Sequence, residues 1–352
     1  SNSSILEVEG TQNLGGVLPD NSTTLRLAAN STINDNATLS VGTLDLANFT
    51  LTLDDQMAGL SIAQPVTLDA AGEQIVTGNA DLSLNGGISA TAGTLSSSGG
   101  TVSASSLSAG AAGIINFQGG TLGLPGGATL ASGASFSTSN TTLNLGGLLD
   151  VADTWTSPST SISLTDNASL SSTVLLSLAT LDTNGHDLML ASATSDLKIT
   201  EGITINYAGF GGLSSGEADL TLNGSVNVLY GGILSSGGTV TFGAGSSGAS
   251  FSEENSGMLL EDTTFVLQTA LDLPYLELSG TSSIQTYGNT LSLGDLEIGV
   301  QNELDLTNVV TDNESGLRLI GNSAITKTGA LVFKEIGLNG YTLTLNPAIT
   351  GL

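Results

Sequence analysis

Two stretches of this chain are versions of one another. Gly78–Val102 reads GNADLSLNGGISATAGTLSSSGGTV and Gly216–Val240 reads GEADLTLNGSVNVLYGGILSSGGTV; they align without a gap, and 138 residues separate their starts. The shared letters shape backbone. Leu82 and Leu84 alternate as Leu220 and Leu222 do, Asn85-Gly86 matches Asn223-Gly224, and Gly99-Gly100-Thr101-Val102 matches Gly237-Gly238-Thr239-Val240. The one shared charge is Asp81, matched by Asp219. A repeat that preserves strand and turn residues but little chemistry marks a stacked repeat architecture.

A second repeat has nearly the same spacing. Val41–Leu53 (VGTLDLANFTLTL) corresponds to Leu178–Leu190 (LATLDTNGHDLML), 137 residues on, so one duplication covers both. Phe333–Leu345 (FKEIGLNGYTLTL) and Ile284–Leu293 (IQTYGNTLSL) are further versions. Each places a Gly or Asn corner ahead of Leu-x-Leu. The alternating Leu-x-Leu and Ile-x-Leu triplets predict short strands, and no run with helical spacing competes with them. Two architectures fit short strands joined by Gly/Asn corners. An antiparallel sandwich would use Asn-Gly as type I′ hairpin turns. A parallel β-solenoid would use the same corners within each coil. Strands this short bury too little to stand as hairpins, so the expected fold is all-β: a right-handed parallel β-solenoid, one elongated domain over residues 1–352. Its internal repeats fall at about 22–158, 159–296 and, in part, 297–352. Coils of about 20–25 residues predict about 14–17 rungs. At about 4.8 Å per rung they would stack to roughly 70–80 Å. The small-residue stretch 86–135 resembles a linker in composition. The register of its copy, with Val226, Val228, Leu229, Tyr230, Ile233 and Leu234, predicts instead an ordered coil with a thin core.

Composition narrows the function classes. Aromatics make up 4% of the 352 residues, too few for the aromatic-rich cores of compact domains, whereas the mean hydropathy of +0.26 excludes a wholly disordered chain. The net charge is −27. Nucleic acid is excluded as a partner, because phosphate binding needs clustered cations and Arg26, Lys198, Arg318, Lys327 and Lys334 are scattered. Anionic lipid is disfavoured for the same reason. There is no Cys, so no disulfide or thiolate site is expected. No apolar run is long enough to span a bilayer. No signal-peptide pattern opens the chain, and Ser1 is read as the start of a mature or excised segment.

Few residues invite a chemical reading. His186 is the lone histidine, in Asn184-Gly185-His186-Asp187. Its counterparts in the other copies are Phe49, Asn289 and Tyr341, which predicts a turn position rather than a base. Asp54-Asp55 is a carboxylate pair such as glycoside hydrolases use; the second copy has Ala191-Ser192 there. A sugar cleft would also want aromatics, and Trp155 is the sole Trp. Calcium is the one cation suggested, through Asp20-Asn21, Asn34-Asp35-Asn36 and Asp312-Asn313-Glu314, because clustered carboxylate and amide oxygens are its ligands. None of these has the EF-hand or nonapeptide spacing. Asn-x-Ser/Thr triplets at Asn2, Asn21, Asn30, Asn36, Asn48, Asn140, Asn167, Asn223 and Asn313 are potential glycan acceptors. The Thr and Ser spacing is too irregular for a flat ice-binding array. No catalytic residue and no cofactor is therefore expected.

The phrases LSLNGG, GTLSSSGGTVSA, TLNLGGLLDV and LDTNGHDLML resemble the passenger domains of bacterial autotransporter adhesins and filamentous-haemagglutinin-type exoproteins. The resemblance implies a right-handed parallel β-helix displayed on, or released from, a cell surface. It transfers no individual binding residue, since such families share a scaffold and differ in their sites. The expected role is an extracellular stalk or fibre segment that contacts a host or neighbouring cell, glycans or matrix. Two alternatives stand beside it: a filament subunit that self-associates through open end rungs, and a polysaccharide-active β-helix enzyme.

Overall fold

The structure, a computed structural model, describes residues 4–14, 19–153, 155–191, 196–207, 212–252, 256–300, 303–306, 309–311, 316–318, 322–326, 332, 335–345, 347 and 349. It is a β-solenoid of about 14 turns. The strand pairings are parallel from Ile5–Asn13 against Thr24–Asn34 onward, so the hairpin sandwich is excluded. Among the described residues the only helix is one 3-10 turn, Ala244–Ser246. No helix among them is long and apolar enough to cross a membrane.

The chain divides into two units, residues 1–174 and 175–352. Through the middle of the first unit a coil lays down three short strands, whereas near its ends longer strands such as Thr24–Asn34 and Thr142–Val151 run on across a corner. One coil runs Gln74–Val76, Asp81–Leu84, Ile88–Ala90. The next runs Thr94–Ser97, Thr101–Ala104, Leu107–Ala109, in register with it. These strands define a first, second and third face. The inward residues stack into columns: Leu51, Ile75, Leu95 and Ile115 on the first face, and Leu60, Leu82, Val102 and Leu122 on the second. All eight are buried. A buried Leu or Ile stabilises by about 1.5–3 kcal/mol, so these columns hold the coils together.

The stretch 86–135 is ordered, as its copy predicts. Ala90, Ala104, Ala109 and Ala128 fill the core where bulkier residues stand elsewhere. In the second unit Val228 takes the place of Ala90, and both are fully buried. Trp155 is also fully buried; it packs on Phe136 with ring centroids 5.1 Å apart and donates from Nε1 to Thr138 Oγ1 at 2.9 Å. The sole Trp is thus part of the core and lines no cleft.

The second unit repeats the plan. Its first face carries Gly212–Gly216, the end of Ser225–Ser235, and Ser256–Glu261. Its second face carries Asp219–Leu222, Thr239–Phe242 and Thr264–Leu267. Phe242 and Phe265, on paired strands but two register positions apart, meet edge to face at 5.8 Å and widen the core there.

The corners explain the second repeat. In all four versions two consecutive residues have positive φ: Ala47-Asn48 (51° and 71°), Asn184-Gly185 (47° and 87°), Tyr287-Gly288 (49° and 84°) and Asn339-Gly340 (50° and 83°). In each, the next N–H closes on a carbonyl three residues back: Phe49 to Leu46, His186 to Thr183, Asn289 to Thr286 and Tyr341 to Leu338, at 2.8–2.9 Å. Two positive φ values with this bond define a type I′ turn. The hairpin turn is here a coil corner: the strands it joins pair with neighbouring coils, not with each other.

Candidate functional site

Most polar residues that the sequence singles out tie backbone to backbone. Asp81 Oδ1 accepts the Thr101 N–H at 2.6 Å, one coil on. Asp219 Oδ1 accepts the Thr239 N–H at the same 2.6 Å. The one charged letter kept in both copies is therefore a clasp between coils. Ser97 and Ser235 are matched too. Ser97 Oγ donates toward Gly99 O at 2.5 Å and Gly78 O at 3.3 Å, and Ser235 Oγ toward Gly237 O at 2.7 Å and Gly216 O at 3.3 Å. The device recurs with other residues: Asn30 holds Thr50, Asp262 holds Thr281, Asn322 holds Thr342 and Asp187 holds Gly212, each by a side-chain oxygen on a backbone N–H. The backbone and hydroxyl bonds from Thr281 hold the Asp262 carboxyl below its usual value.

The candidate residues fall within this scheme. His186 stands at the closing position of its type I′ corner, where Phe49, Asn289 and Tyr341 serve equally. Asp54 and Asp55 point to separate tasks. Asp54 Oδ1 accepts the Gln56 N–H at 3.0 Å within its own turn, whereas Asp55 Oδ1 accepts the Asn79 N–H at 2.9 Å from the next coil. Asp20 Oδ1 accepts from the Ser22 hydroxyl at 2.6 Å and the Ser22 N–H at 2.9 Å. The hydroxyl bond first, and then the backbone bond, lower its pKa. Asp35 is buried and accepts the Ala37 N–H at 3.1 Å. Among the described residues no three His, Asp or Glu side chains gather as a metal-holding group. Asp312-Asn313-Glu314 lies outside the described residues. Arg26 Nε donates to Asp45 Oδ2 at 2.9 Å across adjacent coils, with both side chains about two-fifths exposed.

One surface departs from the scaffold pattern. The outward column of the first face is Thr52, Val76, Ser96, Asn116 and Ser137 in the first unit. In the second unit the same column reads Met189, Ser214, Leu234, Leu259 and Glu277. Thr52 corresponds to Met189 and Ser96 to Leu234 by the repeat spacings. A groove of about 300 Å³ lies on this column. It is lined by Leu234 and Leu259, with Ser214 at one end of the column and Glu261, Glu277 and Ser279 at the other. It opens where the register slips: Ser214 pairs with Leu234, but Gly216 pairs with Ser235. Such irregularities redirect side chains and recur beside binding sites. The Tyr275 hydroxyl donates to Glu277 Oε2 at 2.8 Å and fixes that carboxylate.

Sequence reading missed this groove. Its members are distant along the chain, and only coil register brings them together. The available signal was the replacement of Ser96 by Leu234 directly before a stretch, Ser97-Ser98-Gly99-Gly100, that the copy keeps unchanged as Ser235-Ser236-Gly237-Gly238. No known protein family, no curated protein and no solved structure matches this chain.

Proposed function

We propose that the chain is an extracellular scaffold: a β-solenoid stalk or fibre segment that carries contacts between its cell and a neighbouring surface, glycan or matrix. One observation carries this reading. Both copies spend the same polar side chains on matching coil-to-coil bonds: Asp81 and Asp219 on the Thr101 and Thr239 N–H, and Ser97 and Ser235 on the Gly78 and Gly216 carbonyls. What the duplication preserved is a means of stacking backbone, whereas outward positions such as Thr52 and Met189, or Ser96 and Leu234, were free to diverge. Such a division suits a part whose task is to extend and present. The high net negative charge favours solubility of a long repetitive chain.

The test is location and attachment. Antibody against the chain should label intact, unpermeabilised cells. Deleting its coding segment should reduce cell attachment to a coated surface severalfold. Labelling only after lysis, or undiminished attachment without the chain, overturns the proposal.

A further inference from the structure

We infer that the groove on the first face of the second unit is a docking site for an arginine side chain presented by a partner polypeptide. The assignment goes beyond the scaffold reading and stands whether or not the chain is displayed on a cell.

The duplication supplies the comparison. The first unit's column, Thr52-Val76-Ser96-Asn116-Ser137, is mostly small and polar and presents no carboxylate. At the equivalent place the second unit has two leucines and, over them, Glu261 and Glu277. Leu234 and Leu259 are register neighbours on successive coils, so their side chains form one continuous apolar strip. Glu277 is the register neighbour of Leu259, and Glu261 lies two residues beyond Leu259 on the same side of its strand. An apolar strip ending in two carboxylates matches a ligand with an aliphatic stem and a cationic head.

The head is best a guanidinium. It is planar and carries five donors in a fork that suits carboxylates, whereas an ammonium is a compact, strongly hydrated charge. Glu277 is already oriented by the Tyr275 hydroxyl on one oxygen, which leaves the other to accept. Ser279, the register neighbour of Glu261, can take a remaining donor. No salt bridge among the described residues involves Glu261 or Glu277; the one present joins Arg26 to Asp45. The groove suits other ligand chemistries less well. Calcium takes six to eight oxygen ligands and gains nothing from leucine. A sugar ring stacks on an aromatic face, and no lining residue is aromatic.

The probe is N-acetyl-L-arginine methylamide, titrated into the whole chain and followed by the methyl resonances of Leu234 and Leu259. Its citrulline analogue, neutral and of nearly the same shape, is the companion probe. The arginine probe should shift both leucines saturably and the citrulline probe should not. The E261Q/E277Q double variant should weaken binding about tenfold or more, by loss of two charge-assisted partners. L234S, which restores the first unit's residue, should weaken it about fivefold through the lost apolar contact. D69N/D150N makes the same change in net charge in the first unit, and should leave affinity within about twofold if local geometry rather than overall charge decides. Circular dichroism confirms that each variant keeps its fold. Equal shifts with citrulline, or equal weakening by D69N/D150N and E261Q/E277Q, overturn the assignment. Neither result bears on cell attachment, so the scaffold proposal is tested separately.

Discussion

The matched clasps Asp81 and Asp219 should respond differently to the same substitution. Each accepts a backbone N–H at 2.6 Å, from Thr101 and Thr239 respectively. Asp→Ala removes the acceptor at both. A hydrogen bond to a charged group contributes about 1.5–3 kcal/mol when shielded from water. Both carboxylates are exposed, and water restores much of that, so the loss is about 1 kcal/mol. The neighbours differ. Asp81 sits in register with Gly59, whereas Asp219 sits in register with Asp196. Burial first, and then the Asp219 charge, raise the Asp196 pKa. Two like charges about 5 Å apart at a wet surface repel by about 1 kcal/mol. Asp219→Ala removes a clasp and a repulsion together and should be nearly neutral, whereas Asp81→Ala should cost about 1 kcal/mol. Asp219→Asn keeps the acceptor, removes the charge and should stabilise by about 0.5–1 kcal/mol. Urea unfolding followed by circular dichroism gives the stabilities. Amide exchange gives the local readout: Thr101 should exchange faster in Asp81→Ala, Thr239 faster in Asp219→Ala, and Thr239 should stay protected in Asp219→Asn. In 1 M salt, where screening acts within about 3 Å, the difference between the two alanine variants should shrink. Equal losses at both sites, or a difference that ignores salt, would refute the reasoning.

Five further substitutions probe other parts of the scaffold. Thr77 is fully buried and its Oγ1 has no partner among the described residues, whereas its counterpart Ser215 donates to Leu234 O at 3.3 Å; Thr77→Val should therefore raise the urea midpoint, by about 1 kcal/mol of stability, and a lowered midpoint would show that the hydroxyl is satisfied. Ala47 holds a φ of 51° where the matching corners have Asn184 and Asn339, so Ala47→Asn should stabilise by about 0.5–1 kcal/mol in the same assay. A Cβ at Gly224 would lie 2.0 Å from the Glu201 carbonyl carbon, and one at Gly86 would lie 2.2 Å from Pro65 N; either Gly→Ala change should cost about 2 kcal/mol or more, because backbone must move. Asp262 titrates below its usual value of 3.8, so its contribution is complete above that pH and is lost as pH falls through the lower folded value. Asp262→Asn should accordingly flatten the acid limb of a plot of urea midpoint against pH, whereas the raised Asp196 acts oppositely and favours folding as its carboxylate is protonated.

The coils were readable in the sequence because their determinants are local. Leu82-x-Leu84 and Leu220-x-Leu222 alternate within one strand, and the corners at Asn184-Gly185 and Asn339-Gly340 carry residues that tolerate positive φ. Asn85-Gly86 misleads on that ground. Neither residue has a positive φ, and Gly86 is needed instead because the previous coil passes too close for a side chain. The clasps were half readable. Asp81 and Asp219 stand out as a shared charge, but their acceptor role depends on an amide one coil away. That amide falls 20 residues on for Asp81 and 19 for Asp262.

The groove lay beyond such reading for a related reason. Leu234 to Leu259 spans 25 residues and Leu259 to Glu277 spans 18, so no fixed period aligns the column. Uneven coil lengths leave inward residues undisturbed, because each coil must still present an apolar side chain to the one below. Outward residues meet no such demand. Corners, inward columns and clasps bear the constraint of stacking, and an outward column can change composition without unfolding a coil. Leu234 in place of Ser96 leaves the inward neighbours Ile233 and Leu95 equally buried. A duplicated solenoid is thus free to keep one copy plain and specialise the other, and here the specialised residues, Leu234, Leu259, Glu261 and Glu277, are among those that stacking does not require.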